Sequence, residues 1–252
     1  MRNRSPSEIS LKNAVLLSNA IPKSGSSLLF GLQQEFLYGV SGKKDRSYDV
    51  FKAAGIQMSG SWVSDASIPE LATYLRNTPI VDGPYVLKLH CEVSGDLLES
   101  YIDCPNIFLS LIVRDPVEIL VSARDNFLRS GEFQDFENLD QGIEVINTWY
   151  RRIYDSSVAA GERKKVPIVR YEDLVRDNIG TMLASLHPTL QMAALKQVAE
   201  AHTHLESAYK TASIRLNKGG ERRIEDDLDA RDLASALSAL TEFRALLKYG
   251  SD

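Results

Sequence analysis

The chain has 252 residues, a formal net charge of -5, and 44% hydrophobic and 25% charged residues. This length suits a single α/β domain with a sizeable core, and the composition excludes a disordered or fibrous chain. The acidic balance argues against nucleic acid and long sulfated polysaccharides as partners, because these need a basic surface; a small anionic ligand held by a few local cations stays open.

Cys91 and Cys104 stand in no CxxC pair and no zinc-ligand spacing, so they read as free thiols in a reducing compartment. Met1 to Ser10 contains Arg2 and Arg4 but no apolar run of signal-peptide length follows, and nothing reaches the ~18 apolar residues of a membrane span. The expectation is a cytoplasmic protein without a membrane span. No metal-ligand cluster is visible, and none is expected.

In chain order, residues 1–12 are polar and read as a loose arm before one domain that fills the rest of 1–252. The apolar run from Ala14 reads as a buried strand over 14–19, followed by a small polar loop and a helix whose apolar positions reach Phe36 and Leu37. Residues 39–49 read as a loop and 67–76 as a helix with Pro69 in its first turn. Tyr85 to Leu89 alternates and reads as a strand, as does the nearly continuous apolar run Ile107 to Val113. Pro116 suits the first turn of a helix running to about 128. One helix is expected over 138–158, a short strand over 166–169, helical stretches from Tyr171 and over 191–201, a polar functional loop over 206–227, and a final helix over 228–248. Buried strands alternating with helices predict a central parallel β-sheet flanked by helices.

The chemistry concentrates in Pro22-Lys23-Ser24-Gly25-Ser26-Ser27, between the first strand and the first helix. A helix N-terminus offers N–H groups and a dipole to an anion, Gly25 lets the backbone come close to a ligand, and Lys23, Ser24, Ser26 and Ser27 add a charge and hydroxyls. Read alone, the same segment is equally a serine-rich helix cap. It is not the G-x-x-x-x-G-K-[ST] loop of ATP-binding proteins, since its lysine precedes its glycine.

This loop resembles the 5′-phosphosulfate loop PKSGTTW of the sulfotransferases that use 3′-phosphoadenosine 5′-phosphosulfate (PAPS), with serines in place of both threonines and Leu28 in place of the tryptophan. Further on, the segment from Arg114 through Pro116 to Ser122 resembles that family's R-x-P-x-x-x-x-x-S; Lys88-Leu89-His90 resembles K-x-H; Tyr171-Glu172-Asp173-Leu174 resembles YEDL; and Lys218-Gly219 resembles the late R-K-G loop, with Arg215, Arg222 or Arg223 left for its arginine. The matches span 22–219 in the family's order. The resemblance implies a P-loop NTPase-like sulfotransferase fold and an enzyme moving a sulfuryl group from PAPS to a hydroxyl, or an amine, of a small-molecule acceptor.

The implied roles follow residue by residue. Lys23, Ser24, Gly25, Ser26 and Ser27 hold the 5′-phosphate end, and Lys23 and Lys88 assist transfer. Arg114 and Ser122 take the 3′-phosphate, helped by Arg215, Lys218 and Gly219. Tyr171 or Trp62 is left to stack on adenine, and His90 serves as general base. Judged without the family, His90 is a hydrogen-bonded histidine at a strand end, and Glu172 and Asp173 are acids at a helix start. The product is 3′-phosphoadenosine 5′-phosphate (PAP), and no metal is called for. Acceptor-facing segments are expected over 39–66 and 129–140, where surface loops vary, and a homodimer is an open assembly. The rival readings are a nucleotide kinase or NTPase and a non-catalytic nucleotide-binding protein.

Overall fold

The computed structural model describes residues 10–42, 47–56, 67–195 and 228–249. Four parallel strands form one sheet in the order β2-β1-β3-β4: β1 is Val15–Ala20, β2 Tyr85–Leu89, β3 Ile107–Val113 and β4 Ile168–Arg170. All four expected strands form, within about two residues of their expected bounds. β1, β2 and β3 are buried along their whole length, as a parallel sheet covered on both faces requires.

Strand alternation sends successive residues to opposite faces. Leu16, Val86, Phe108 and Ile112 pack against α1 (Ser26–Ser41), and Val15, Leu17, Leu87 and Leu109 against α3 (Ile68–Asn77) and α4 (Gly95–Asp103). α2 (Ser47–Ala53) joins the second face through Val50 and Phe51. A third cluster forms where α5 (Pro116–Ser130), α6 (Leu139–Trp149) and the last two helices close over Leu111 and Val113.

The remaining helices differ from the expectation in instructive ways. The helix expected over 138–158 is α6, a π-helical turn over Tyr150–Tyr154, then α7 (Asp155–Arg163). The extra residue of that turn serves an inward-facing Tyr150, described below. The stretch from Tyr171 is α8 (Tyr171–Arg176) and α9 (Asn178–Ala184), followed by α10 (Pro188–Leu195). The helix expected over 228–248 is broken at Leu240 into α11 (Ala230–Ala239) and α12 (Thr241–Leu246).

Two readings are corrected. The loop expected over 39–49 instead carries the end of α1 and the start of α2. α4 falls where no element was expected. Burial of Leu97 and Tyr101 holds the helix in place, and the Lys164 ammonium donates to the carbonyls of Tyr101 (2.8 Å) and Cys104 (2.9 Å) at its C-terminal end. The loose arm does not extend to residue 12: Ser10 caps a 3₁₀ turn over Leu11–Asn13, and Leu11 is in the core.

β2 lies at the edge of the sheet, yet the backbone of Val86 on that edge is paired. The Tyr38 hydroxyl accepts from Val86 N (3.2 Å) and the Ser47 hydroxyl donates to Val86 O (2.7 Å), which satisfies groups that would otherwise be exposed at an edge.

Candidate active site

In a doubly wound sheet, ligands bind beyond the carboxyl ends of the strands, where the connections diverge. Here the chain leaves β1 towards β2 on one side, then crosses to β3 on the other. The register pairs Asn19 with Leu89, Ala20 with Ile112 and Val113 with Arg170. The segments beginning at Ile21, His90, Arg114 and Tyr171 therefore leave the same edge, and Lys23, His90 and Arg114 all stand there, as expected.

The loop after β1 is wound tightly. Lys23 (φ 66°) and Gly25 (φ 88°) are both left-handed. Ser24, between them, is fully buried: its hydroxyl donates to Ile21 O (2.6 Å) and lies 3.1 Å from Ile112 O, and its N–H donates to Ile21 O. The Ser24 hydroxyl thus ties the loop to β3 rather than facing outward with those of Ser26 and Ser27. The loop opens directly into the first turn of α1, and a helix N-terminus is a ready site for an anion.

The two outward serines meet the end of β2. Lys88 Nζ donates to Ser27 Oγ at 2.8 Å, and Ser26 Oγ lies 3.4 Å from His90 Nε2. His90 Nδ1 lies 2.9 Å from Ala20 O. A carbonyl accepts only, so Nδ1 carries the proton and Nε2 presents its lone pair towards Ser26. Burial, with the Lys88 charge as a smaller influence, pushes the imidazole down to about 4. It is neutral at neutral pH.

Asn19 is a site residue that motif reading passed over. Its amide brackets the Cys91 backbone, donating to Cys91 O at 2.9 Å and accepting from Cys91 N at 3.2 Å. This extends the β1–β2 pairing past His90 and fixes the direction of the imidazole. The signal was available, since Asn19 is a polar residue at the end of an otherwise buried strand.

On the other side, the Arg114 guanidinium lies over the Tyr171 ring at 4.5 Å, pairs with Glu118 at 2.9 Å and reaches Lys23 O at 3.5 Å. Its Nε is buried with no hydrogen-bond partner. The Tyr171 ring also packs on Gly25, filling the space a side chain would need there. One face of Tyr171 is therefore taken by Arg114, and the ring bridges the loop after β1 to the turn after β3. Gly25→Ala should cost about 1–2 kcal/mol for the left-handed backbone and displace Tyr171 as well. Its melting temperature and its affinity for PAP should fall together; a variant matching the wild type in both would show the ring is not needed there.

The turn carrying Arg114 is braced from below. The Tyr150 hydroxyl donates to Arg114 O, Glu172 accepts from Asp115 N (3.2 Å) and from the Tyr249 hydroxyl (2.5 Å), and Asp115 pairs with Arg244 (3.0 Å). Asp115 also caps α5. Glu172 is thus a brace for the backbone of this turn, in keeping with a structural reading of that acid; Asp173 makes a surface pair with Arg176 (3.8 Å).

Lys23 Nζ points to the ring of Phe133, 5.6 Å away, within the segment 129–140. Burial, then the nearby Arg129, lowers its pKa from the usual lysine value. Phe133 was missed in the sequence, where it looks like any loop aromatic; its φ of 62° turns it inward onto Phe136 and Trp149. Ser122 stands two turns into α5, half-buried. A cavity of about 270 Å³ opens beside the extension of β2, between Ile68, Pro69, Glu92 and Arg152. Arg215, Lys218, Gly219, Trp62, Arg222 and Arg223 lie outside the described residues.

No protein-family profile matches this sequence, and no curated protein does. Among solved structures, retinol dehydratase in complex with androsterone and inactive cofactor PAP is similar over 94% of this chain and 82% of its own, with a TM-score of 0.52 and 13% identity. Retinol dehydratase in complex with retinol and PAP has a TM-score of 0.49 at the same coverage and identity. A sulfotransferase from Alicyclobacillus acidocaldarius is similar over 76% of this chain and 95% of its own, with a TM-score of 0.36 and 13% identity. The first of these likenesses shows a shared fold.

Proposed function

We propose, on the fold expected of a PAPS-dependent sulfotransferase, that this chain transfers a sulfuryl group from PAPS to a hydroxyl, or an amine, of a small-molecule acceptor. One observation carries the reading: at one sheet edge the loop after β1 touches Lys88 and His90 through Ser27 and Ser26, and Arg114 and Tyr171 through Lys23 O and Gly25. The sequence places those residues in four separate segments. A buried Arg114 Nε with no partner adds an unmet donor that an anion would satisfy.

PAPS supplies the sulfuryl group and leaves as PAP. Lys23 and the first-turn N–H groups of α1 would hold the 5′-phosphate, with Ser26 and Ser27 donating hydroxyls, and so stabilise the charge that gathers on the leaving oxygen. Lys88, already turned towards Ser27, would meet the sulfuryl oxygens. Arg114 and Ser122 would take the 3′-phosphate, with Arg215, Lys218 and Gly219 closing over it, and Tyr171 would hold Arg114 in its plane. His90 would accept the acceptor's proton at Nε2, its tautomer fixed by Ala20 O. The cavity beside Glu92 and Arg152 and the segment carrying Phe133 are the acceptor side.

Arg114→Ala should weaken PAP binding by roughly 1.5–3 kcal/mol, the range for hydrogen bonds to a charged group, and leave AMP binding nearly unchanged. Calorimetry giving the wild type equal affinity for PAP and AMP would point to another nucleotide enzyme. Turnover of PAPS against a panel of alcohols, phenols and amines tests the reaction, with ATP as the control for a kinase.

A further inference from the structure

Glu118 and Ser122 lie four residues apart in α5, a spacing that puts side chains on one face of a helix, and Arg114 stands in the turn just before that helix. In chain order Glu118 comes between the arginine and the serine assigned to the 3′-phosphate. It does more than stand there: its carboxylate is 2.9 Å from Arg114 Nη2, and both side chains are largely withdrawn from solvent, at 19% and 28% exposure. Arg114 Nη1 is directed at Lys23 O, and Nε is buried without a partner. Glu118 thus holds one of the two terminal nitrogens that a phosphate would need.

We propose that Glu118 is the counter-ion that the nucleotide's 3′-phosphate displaces from Arg114, so that Glu118 sets the affinity for a 3′-phosphorylated nucleotide and takes up a proton when one binds. This rests on the reading above that Arg114 receives that phosphate. A phosphate that bridges Arg114 and Ser122 comes to lie over a carboxylate, and like charges brought together in a part-buried site repel strongly. The repulsion is relieved if Glu118 takes a proton from solvent.

The charges around Glu118 favour this. Among the described residues its cationic neighbour is Arg114, from the turn after β3. Asp115, from the same turn, and Glu172, from α8, are both anionic. Asp115 is committed to Arg244 of α12, and Glu172 to the Tyr249 hydroxyl and Asp115 N. Burial raises the Glu118 pKa already in the empty protein; losing Arg114 to a phosphate raises it further. Glu118 is thus a positioning residue, acting on the ligand through Arg114.

The test compares the wild type with Glu118→Gln, which keeps the shape and the acceptor oxygen and removes the charge. PAP and AMP are titrated by calorimetry at pH 6, 7 and 8. Glu118→Gln should bind PAP about tenfold more tightly than the wild type at pH 8, a Coulombic gain discounted for partial exposure. The advantage should shrink towards pH 6, where the wild-type carboxyl is increasingly protonated, and AMP affinity should be unchanged. Equal or weaker PAP binding by Glu118→Gln at pH 8, or an equal gain for AMP, overturns the proposal. A second arm uses no nucleotide: phenylglyoxal modification of Arg114, followed by peptide mass, should be faster in Glu118→Gln than in the wild type and slowed by inorganic phosphate. If neither protein binds PAP, the donor assignment fails, while equal phenylglyoxal rates would separately show that Glu118 does not occupy Arg114.

Discussion

His90→Ala should lower turnover on an alcohol acceptor by about 10²–10⁴-fold, the usual contribution of a positioned base, while PAP binding stays nearly intact. In the proposed arrangement the base faces the acceptor, and His90 makes contacts with Ser26 and Ala20. In the free protein the imidazole should titrate at about 4, held there first by burial. So weak a base suits a phenol better than an alkyl alcohol, but donor binding brings negative charge against it and should raise it. The acid limb of kcat should accordingly lie above the value of the free imidazole read by NMR, and vanish in the variant. The same shift acts on stability. His90 binds its proton less readily folded than unfolded, where a histidine titrates near ~6.5, so stability should fall as pH drops from there towards about 4. A His90→Ala protein that is folded and turns over normally would remove the base assignment; joint loss of melting temperature and PAP affinity would make His90 a structural histidine.

Asp115→Ala should be the most destabilising single change near the site. It removes the cap of α5, worth about 0.5–2 kcal/mol, and leaves Arg244 without the carboxylate 3.0 Å away, a charged hydrogen bond worth about 1.5–3 kcal/mol. Together these come to about 3 kcal/mol, or roughly 6–12 °C in melting temperature for a domain of this size. Asp115→Asn, which keeps the cap, should lose about half. Calorimetric scanning of both variants decides the matter; an Asp115→Ala protein melting within a degree or two of the wild type would mean the ion pair contributes nothing. PAP affinity should fall in step, because Arg114 is the residue next along this turn.

The strands were legible because each is a run of apolar residues bounded by Pro, Gly or charge, and in a parallel sheet burial on both faces leaves little else for such a run to be. The candidate site residues were picked out chiefly by the resemblance of their segments to sulfotransferase motifs; read alone, the loop after β1 is equally a helix cap and His90 a hydrogen-bonded histidine at a strand end. What could not be read were the partners. Nothing near Ser24 in the sequence says that its hydroxyl turns back to Ile21 and Ile112 while its neighbours turn outward. Glu118 reads as an ordinary helical acid until Arg114 is seen on it, and Tyr171 as an open aromatic until Arg114 and Gly25 are seen against it. The contacts of Ser24 with Ile112 and of Tyr171 with Arg114 and Gly25 cross more than fifty residues of chain, and local pattern carries no record of them; the Arg114–Glu118 pair is local, but its arginine stands outside the helix, so helical spacing does not announce it. The helix break at Leu240 and the π-helical turn at Tyr150 were hidden for a related reason: both adjust a helix so that Phe243 and Tyr150 can pack together, 4.9 Å between ring centroids.

The brace under Arg114 draws on the far end of the described chain. Arg244 and Tyr249 reach Asp115 and Glu172 across 129 and 77 positions of sequence. A polypeptide emerging from the ribosome can assemble β1 to β4, α1 and α5 well before those two residues exist outside the exit tunnel. Such a nascent chain has its sheet and its loop after β1, but the turn bearing Arg114 has only Tyr150 and Glu172 to hold it. The last supports of that turn therefore arrive late in synthesis, when the segment around Arg244 and Tyr249 docks.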